Sequence, residues 1–192
     1  MLRVLLAMIA VGCLMLSTVQ AKPNLTTPNT SLTVQEGQAR ETARIAREIR
    51  HELAMLPFYD VFDWLEGNVQ PDGTVVLRGQ VVRPTTKSSA ENVAKKIEGV
   101  ERVVNEIEVL PVSPNDDRIR LAVYRALFNY NSPLFRYATQ AIPPIHIIVK
   151  NGRVTLKGVV ANKSDSNIAN IRTRGVPGVF EVINQLQVEQ RS

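Results

Sequence analysis

Few side chains in this chain are suited to acid–base or metal chemistry, and they are scattered along it. His51 lies beside Glu48 and Glu52 on the polar face of an expected helix, and His146 lies within a run of apolar residues. A metal site needs three or four converging ligands, which two isolated histidines do not provide. We interpret His51 as a solvated helix residue and His146 as a surface residue of a strand.

One short segment gathers acidic residues, namely Asp60, Asp63 and Glu66, and could attract a cation weakly. Their spacing is not that of a calcium-binding loop. The sequence also contains no P-loop, no glycine-rich dinucleotide turn and no nucleophile elbow. We therefore predict a protein that is not an enzyme and that binds neither a cofactor nor a metal.

The first 21 residues have the pattern of a secretory signal peptide. A short basic start is followed by the apolar run Val4 to Leu16 and by a small-residue end at Ala21. The run is shorter than the roughly 20 apolar residues of a membrane span. We predict export to the periplasm or envelope with cleavage after Ala21, which leaves no cysteine in the mature chain. The alternative is a lipoprotein acylated at Cys13.

The residues that follow, 22–39, are rich in Thr, Asn, Pro, Gln and Ser and show no apolar period. This composition is typical of a chain that cannot bury enough apolar surface to order itself. We predict a disordered tether over this range.

The rest of the chain contains a duplication. Residues 72–109 and 151–188, compared at a constant shift without a gap, share eleven identities in 38 positions. The identities fall on turn glycines and on alternating apolar positions, which are the positions that define a fold. The pairs are Gly73/Gly152, Val75/Val154, Leu77/Leu156, Gly79/Gly158, Val81/Val160, Ala90/Ala169, Gly99/Gly178, Val100/Val179, Val103/Val182, Asn105/Asn184 and Val109/Val188.

Each copy predicts the element order αββαβ. Asp72-Gly73 and Asn151-Gly152 are tight-turn dipeptides between two strands, because Gly accepts a positive φ and Asn or Asp tolerates one. Apolar residues at helical spacing predict one helix before the hairpin and another after it. The fold class is therefore α+β, with two modules that each form a three-stranded mixed sheet with two helices on one face. We place module 1 at residues 40–112 and module 2 at residues 113–190.

The two copies resemble the BON domain, named for bacterial OsmY and nodulation proteins. The resemblance covers roughly residues 40–190 and rests on a turn, strand and glycine, then a helix, then Gly-Val with a later Val and Asn. These residues are Asp72 to Gly79, Gly99-Val100, Val103 and Asn105 in the first copy, and Asn151 to Gly158, Gly178-Val179, Val182 and Asn184 in the second.

The resemblance implies an OsmY-like exported envelope protein, linked to osmotic stress and envelope integrity, whose domains contact phospholipid. The family has no catalytic residues and no cofactor. The second helix of module 2 departs from the pattern of module 1, because Arg172 and Thr173 replace Val93 and Ala94. We expect that helix to be shorter, frayed or rotated.

Charge separates the two modules. Residues 22–112 carry 11 basic and 13 acidic residues, whereas residues 113–192 carry 11 basic and 5 acidic residues. A basic surface favours an anionic partner. Because nucleic acid is not expected outside the cytoplasm, we predict that module 2 binds an anionic phospholipid membrane.

We assign the predicted lipid contacts to Arg136 and Tyr137, in an aromatic loop of module 2, and to Arg153 and Lys157 on one strand face. An aromatic ring beside an arginine suits the headgroup layer, although such rings also serve core packing. The six glycines of the duplicated pairs have structural roles only. The alternative function is a protein-binding adaptor in the envelope that uses sheet edges or apolar faces.

Overall fold

The computed structural model describes residues 30–140 and 143–189, with side chains from residue 35 onward. The predicted signal peptide, with Cys13, and the first part of the predicted tether lie outside the described residues. In the described part of the chain, no helix combines the length and the apolar character that crossing a membrane requires.

Module 1 has the predicted element order. Its elements are α1 (Thr30–Ala54), β1 (Trp64–Val69), β2 (Thr74–Val81), α2 (Pro84–Ala94), β3 (Arg102–Asn105) and β4 (Glu108–Val109). β3 and β4 both pair with β2, so they are one interrupted strand in the place of the single strand that the sequence predicts.

Helix α1 starts earlier than expected, because residues 30–39 of the predicted tether are helical. Residues 35–40 are all exposed, and the buried positions of the helix begin at Ile45. The early turns therefore project beyond the module. At positions 35–40 every residue except Gly37 has high helix propensity, which favours a helix here without an apolar period.

Module 2 repeats this order. Its elements are α3 (Pro114–Phe128), α4 (Phe135–Ala138), β5 (Ile145–Lys150), β6 (Arg153–Val160), α5 (Lys163–Arg174) and β7 (Glu181–Val188). The short helix α4 has no counterpart in module 1. The helix expected to be short or frayed, α5, runs for 12 residues and keeps Thr173 buried, so it is neither shorter than α2 nor rotated onto Ile171, which is 69% exposed.

Both sheets are mixed, as the sequence predicts. The hairpin strands β1 and β2 are antiparallel, and β2 is parallel to β3; β5, β6 and β7 repeat this arrangement. A parallel neighbour requires a crossover, which α2 and α5 supply. Each sheet thus has the second hairpin strand, β2 or β6, at its centre and two helices on one face.

Each module has its own core between its sheet and its helices. In module 1, Ile45, Ile49 and Leu53 of α1 lie on central strand residues such as Val75 and Leu77, and all five are at most 4% exposed. In module 2 the equivalent core adds aromatic residues after α3. Its members include Ile119, Val123, Leu127, Phe128, Leu134, Tyr137, Ile147, Val154 and Leu156.

Two duplicated glycines allow the hairpin strands to pass close to each other. Gly79 has φ 133° and Gly158 has φ 117°, which L side chains rarely adopt. A β-carbon on Gly79 would collide with the carbonyl of Trp64, and one on Gly158 would collide with the carbonyl of Pro144. This steric clash explains why both modules have glycine at this position.

The duplicated asparagines fasten the last strand to the second helix. Asn105 Nδ2 donates to the Lys87 carbonyl at 3.1 Å, and Asn184 Nδ2 donates to the Ser166 carbonyl at 3.1 Å. Each Asn Oδ1 also accepts from the backbone N–H two residues later. This explains why a polar residue is repeated among alternating apolar positions.

The segment that leads into β1 packs against module 2. The carbonyl of Val61 accepts from Ile147 N at 2.7 Å, and Phe62 meets Tyr124 edge-on with ring centroids 6.2 Å apart. Val61 is thus part of the module 2 core. The two modules share a contact surface, which accounts for the aromatic residues concentrated in residues 58–64.

His146 lies in that contact surface, and its interpretation as a surface residue is wrong. It is 4% exposed, between the rings of Tyr59 at 5.5 Å and Trp64 at 5.1 Å. The side of β5 that strand alternation points away from its own core is covered by the other module. Burial lowers the pKa of His146.

Asp63 is buried at the same contact surface, where it is 2% exposed and its Oδ1 accepts from Val82 N at 2.7 Å. Burial is the main cause that raises the pKa of Asp63 to about 6, and the charge of Asp60 adds to it. Keeping Asp63 charged at neutral pH therefore lowers the stability of the folded state.

We predict that Gly158→Ala lowers the free energy of unfolding by about 3 kcal/mol, because the new methyl group meets a backbone carbonyl that cannot move alone. Urea denaturation measures the change. Gly175→Ala is the matched control, since Gly175 has a φ of −76° and its added β-carbon would come no closer than 3.6 Å to its neighbours. Equal effects of the two changes would contradict the steric account.

We predict that the stability of the native chain, relative to Asp63→Asn, rises by on the order of 2 kcal/mol as pH falls from 7 to 4.5. The pKa of Asp63 is higher in the folded state, so the folded state gains a proton in this window and the charge penalty is lost. Asn keeps the acceptor for Val82 and does not titrate. Urea denaturation at several pH values tests this, and parallel pH curves for the two proteins would contradict it.

Candidate functional site

Arg136 and Tyr137, two of the predicted lipid contacts, lie in α4. Tyr137 is 5% exposed, and its hydroxyl donates to Asp165 Oδ2 at 2.6 Å and accepts from Ala161 N at 2.8 Å. Arg136 also binds Asp165. Its hydrogen bond to Tyr137, together with the charge of Asp165, raises the pKa of Arg136. This pair fastens α4 to the start of α5, and the Tyr137 ring belongs to the core.

Arg153 and Lys157, the other two predicted contacts, lie on β6. Arg153 forms an ion pair with Glu181 of β7. Lys157 lies 5.5 Å from the Trp64 ring centroid and 3.8 Å from Glu66, both in module 1. The structure therefore places Arg153 at the start of β6, Lys157 at its middle and Arg136 beyond its end, each beside a carboxylate. The assignment of these residues to lipid stays a prediction.

The helices of module 2 carry a different set of cations. Among the described residues of module 2, five of the ten Lys and Arg side chains have a carboxylate within 4.0 Å. The other five all lie on α3 and α5, and we call them the helix-face cations. They are Arg118, Arg125, Lys163, Arg172 and Arg174.

Local packing explains why these cations point outward. α3 and α5 cover the same face of the sheet, so their apolar sides face inward and their polar sides face solvent. Arg118 donates to the Asn115 side chain, and Arg172 donates to the Ala126 carbonyl at 3.1 Å, which links the two helices. Four of the five are exposed, and only Arg172 is half-buried.

The assignment to β6 and α4 did not include this face. A signal was present in the sequence, because Arg118 and Arg125 are spaced seven residues apart on one side of α3 and Lys163 and Arg174 eleven apart on α5. The missing information was the position of the carboxylates, because Glu66 of module 1 lies beside Lys157, whereas Asp165 and Glu181 of module 2 bind Arg136 and Arg153.

The end of module 2 where α3 starts is built around a buried carboxylate. Ser113 caps α3, and Asp116 accepts from Asn151 N and Gly152 N, both at 2.8 Å. Phe180 donates its backbone N–H to the Gly152 carbonyl at 2.9 Å. These bonds hold the hairpin turn, the start of α3 and the start of β7 together.

Nothing in the described residues resembles a metal centre, since no group of three or more His, Cys, Asp or Glu side chains there could hold an ion. The clefts in that part of the chain are shallow. One of them, with a volume of about 260 Å³, lies between the modules and is lined by Phe62, Val82 and Leu121 together with Arg83 and Arg120.

Solved structures that are similar to this chain include two of one secretion-system protein. One is the C-terminal domain of CdsD, the structural protein of the type III secretion system of Chlamydia trachomatis, with 13% identity, a TM-score of 0.26 and coverage of 75% of this chain and 96% of that chain. A second structure of CdsD has 12% identity, a TM-score of 0.29 and coverage of 77% and 94%. No curated protein sequence matches this chain.

The family is settled by a match at domain level. The model of the BON domain matches residues 41–111 and 115–190. BON domains are non-catalytic and are associated with envelope and membrane-binding proteins. Because the two matches cover most of the chain and coincide with its two αββαβ modules, the chain belongs to the BON domain family, with two BON domains in tandem.

Proposed function

We propose that this protein binds anionic phospholipid membranes through the helix face of module 2. The observation that carries the proposal is the concentration of all five unpaired cations of that module on α3 and α5. A surface with positive charge and no internal neutraliser attracts the negative headgroups of a bilayer. The protein acts as a binding module and carries out no reaction.

The expected binding energy favours the cations of α3 and α5 over those of β6 and α4 as the membrane contact. A basic residue near an anionic membrane contributes about 1 kcal/mol, so the four exposed helix-face cations give about 4 kcal/mol and a salt-sensitive association. Arg136, Arg153 and Lys157 would have to share or leave their carboxylates to make the same contact. Their net contribution is therefore smaller, although they remain predicted contacts.

The location and the role that we propose follow from membrane binding. An exported protein that binds anionic lipid from the periplasm would be held at the envelope, where it would support envelope integrity or tolerance of osmotic stress. The predicted signal peptide and the association of BON domains with envelope proteins support this proposal.

A second candidate function is a protein-binding adaptor, and one observation favours it. β7 forms the outer edge of its sheet over eight residues, and no other described strand pairs with that edge. A partner could add a strand there. Crosslinking in cells that recovers one specific protein, lost in Val188→Pro at the end of β7, would favour the adaptor. Recovery of lipid without any protein would count against it.

We predict that neutralising three helix-face cations weakens binding to anionic vesicles about a hundredfold, since three contributions of about 1 kcal/mol are lost. The variant is Arg118→Gln/Arg125→Gln/Arg174→Gln in the chain from Lys22, which contains every described residue. Co-sedimentation with anionic vesicles at low salt measures binding. Binding of the native chain should also disappear at high salt and with neutral vesicles.

The matched control is Arg136→Gln/Arg153→Gln/Lys157→Gln, which removes the same charge from the residues predicted from sequence. We expect it to weaken binding much less. If this control variant instead binds more weakly than the helix-face variant, the site lies on β6 and α4. If the native chain fails to bind anionic vesicles at low salt, the proposed function is wrong. Circular dichroism checks that both variants fold.

A further inference from the structure

Three large apolar side chains are exposed at the end of module 2 where α3 begins, two inside the module and one in the residue that precedes it. Val112 is 97% exposed, Phe180 is 84% exposed and Ile171 is 69% exposed. We call these three residues the apolar tip. An exposed Phe or Ile on its own is ordinary, but a group of three at one end of a module indicates a contact with something apolar.

The three residues share this end because of the elements that carry them. Val112 immediately precedes the Ser113 cap of α3. Phe180 lies against the hairpin turn, with its ring beside Gly152, and the same turn is bound by the first turn of α3. Ile171 is in the last turn of α5, whose end residue Arg174 lines one cleft together with Phe180.

The fold itself does not require apolar residues at these positions, as module 1 demonstrates. At the constant shift of the duplication, Phe180 corresponds to Glu101 and Ile171 corresponds to Asn92. Glu101 follows the same type of glycine turn, at Gly99, and donates its backbone N–H to the Gly73 carbonyl as Phe180 does to Gly152. Only module 2 has apolar residues there, and it is also the basic module.

The charges around the apolar tip indicate which apolar partner fits. The carboxylates at this end are occupied: Asp116 binds backbone N–H groups, Asp117 binds Arg120 and Glu181 binds Arg153. The helix-face cations Arg118 and Arg174 lie in the first turns of α3 and at the end of α5. An apolar group flanked by unpaired arginines matches a bilayer, which offers anionic headgroups above an apolar interior.

We propose that the apolar tip enters the boundary between the headgroups and the acyl chains of an anionic bilayer, with Phe180 as its main anchor. This inference rests on the proposed function and adds a part of the binding that salt does not remove. Arg118 and Arg174 stay in the headgroup layer, and module 2 meets the membrane with the start of α3 first. Burial of a phenylalanine ring accounts for about a ten- to hundredfold gain in affinity.

The first measurement uses Phe180→Trp in the chain from Lys22, mixed with anionic vesicles that contain lipids brominated on the acyl chain. Bromine quenches an indole that reaches the acyl region. The native chain provides the background, because its single tryptophan, Trp64, packs against His146 at the contact between the modules. We expect a blue shift and quenching of the added tryptophan and no change of Trp64.

The second measurement compares the affinity of three variants for the same vesicles. Phe180→Ser removes the ring without adding charge, and Ile171→Asn installs the residue that module 1 has at the same place. Tyr130→Ser is the control, because Tyr130 is also 84% exposed but follows the other end of α3, about 22 Å away along the helix. We expect Phe180→Ser to bind at least tenfold more weakly and Tyr130→Ser to bind as the native chain does.

The outcomes separate this inference from the proposed function. If the native chain binds anionic vesicles but the added tryptophan is not quenched and Phe180→Ser binds normally, insertion is wrong and the electrostatic proposal stands. If neither the native chain nor any variant binds the vesicles at low salt, both the insertion and the proposed function are wrong. If Phe180→Ser instead converts a dimer to a monomer in the absence of lipid, the apolar tip is a contact between copies and the inference is overturned.

Discussion

Ion pairs, two of them between the modules, determine which described cations of module 2 have no carboxylate partner. Glu66 of β1 lies beside Lys157, and Glu108 of β4 binds Lys150, so module 1 supplies carboxylates to the strands of module 2. The helices α3 and α5 receive no such neutralisation and keep five unpaired cations. Apart from each other, module 1 would be acidic and module 2 basic. Packed together, they leave the described cations of α3 and α5 without a carboxylate within 4.0 Å, and the proposed membrane contact depends on these cations.

That packing in turn depends on the segment between α1 and β1. Tyr59, Phe62 and Trp64 pack on module 2, and Val61 extends the hydrogen bonding of β5 by one bond. The buried groups Asp63 and His146 lie in this contact, with pKa values moved in opposite directions by the same burial. The contact that covers one face of β5 therefore buries the Asp63 carboxylate, where its charged form is disfavoured.

Much of the fold could be predicted from sequence because its determinants are local and duplicated. Gly79 and Gly158 are repeated because strand passage leaves no space for a β-carbon, and Asn105 and Asn184 because one side chain fastens a strand to a helix. His146 was misplaced because alternation along a strand says nothing about a second module that covers its other face. The ion pairs of the predicted lipid residues were missed because their carboxylate partners come from distant parts of the chain.

The central claim is that the helix face of module 2 meets an anionic membrane. The most direct measurement is NMR of the chain bound to anionic bilayer discs that contain a lipid with a paramagnetic headgroup, which broadens the signals of nearby amides. The account predicts the strongest broadening in residues 112–125 and 163–181, with module 1 little affected. Broadening centred on β6 and α4, or spread over module 1, would contradict it.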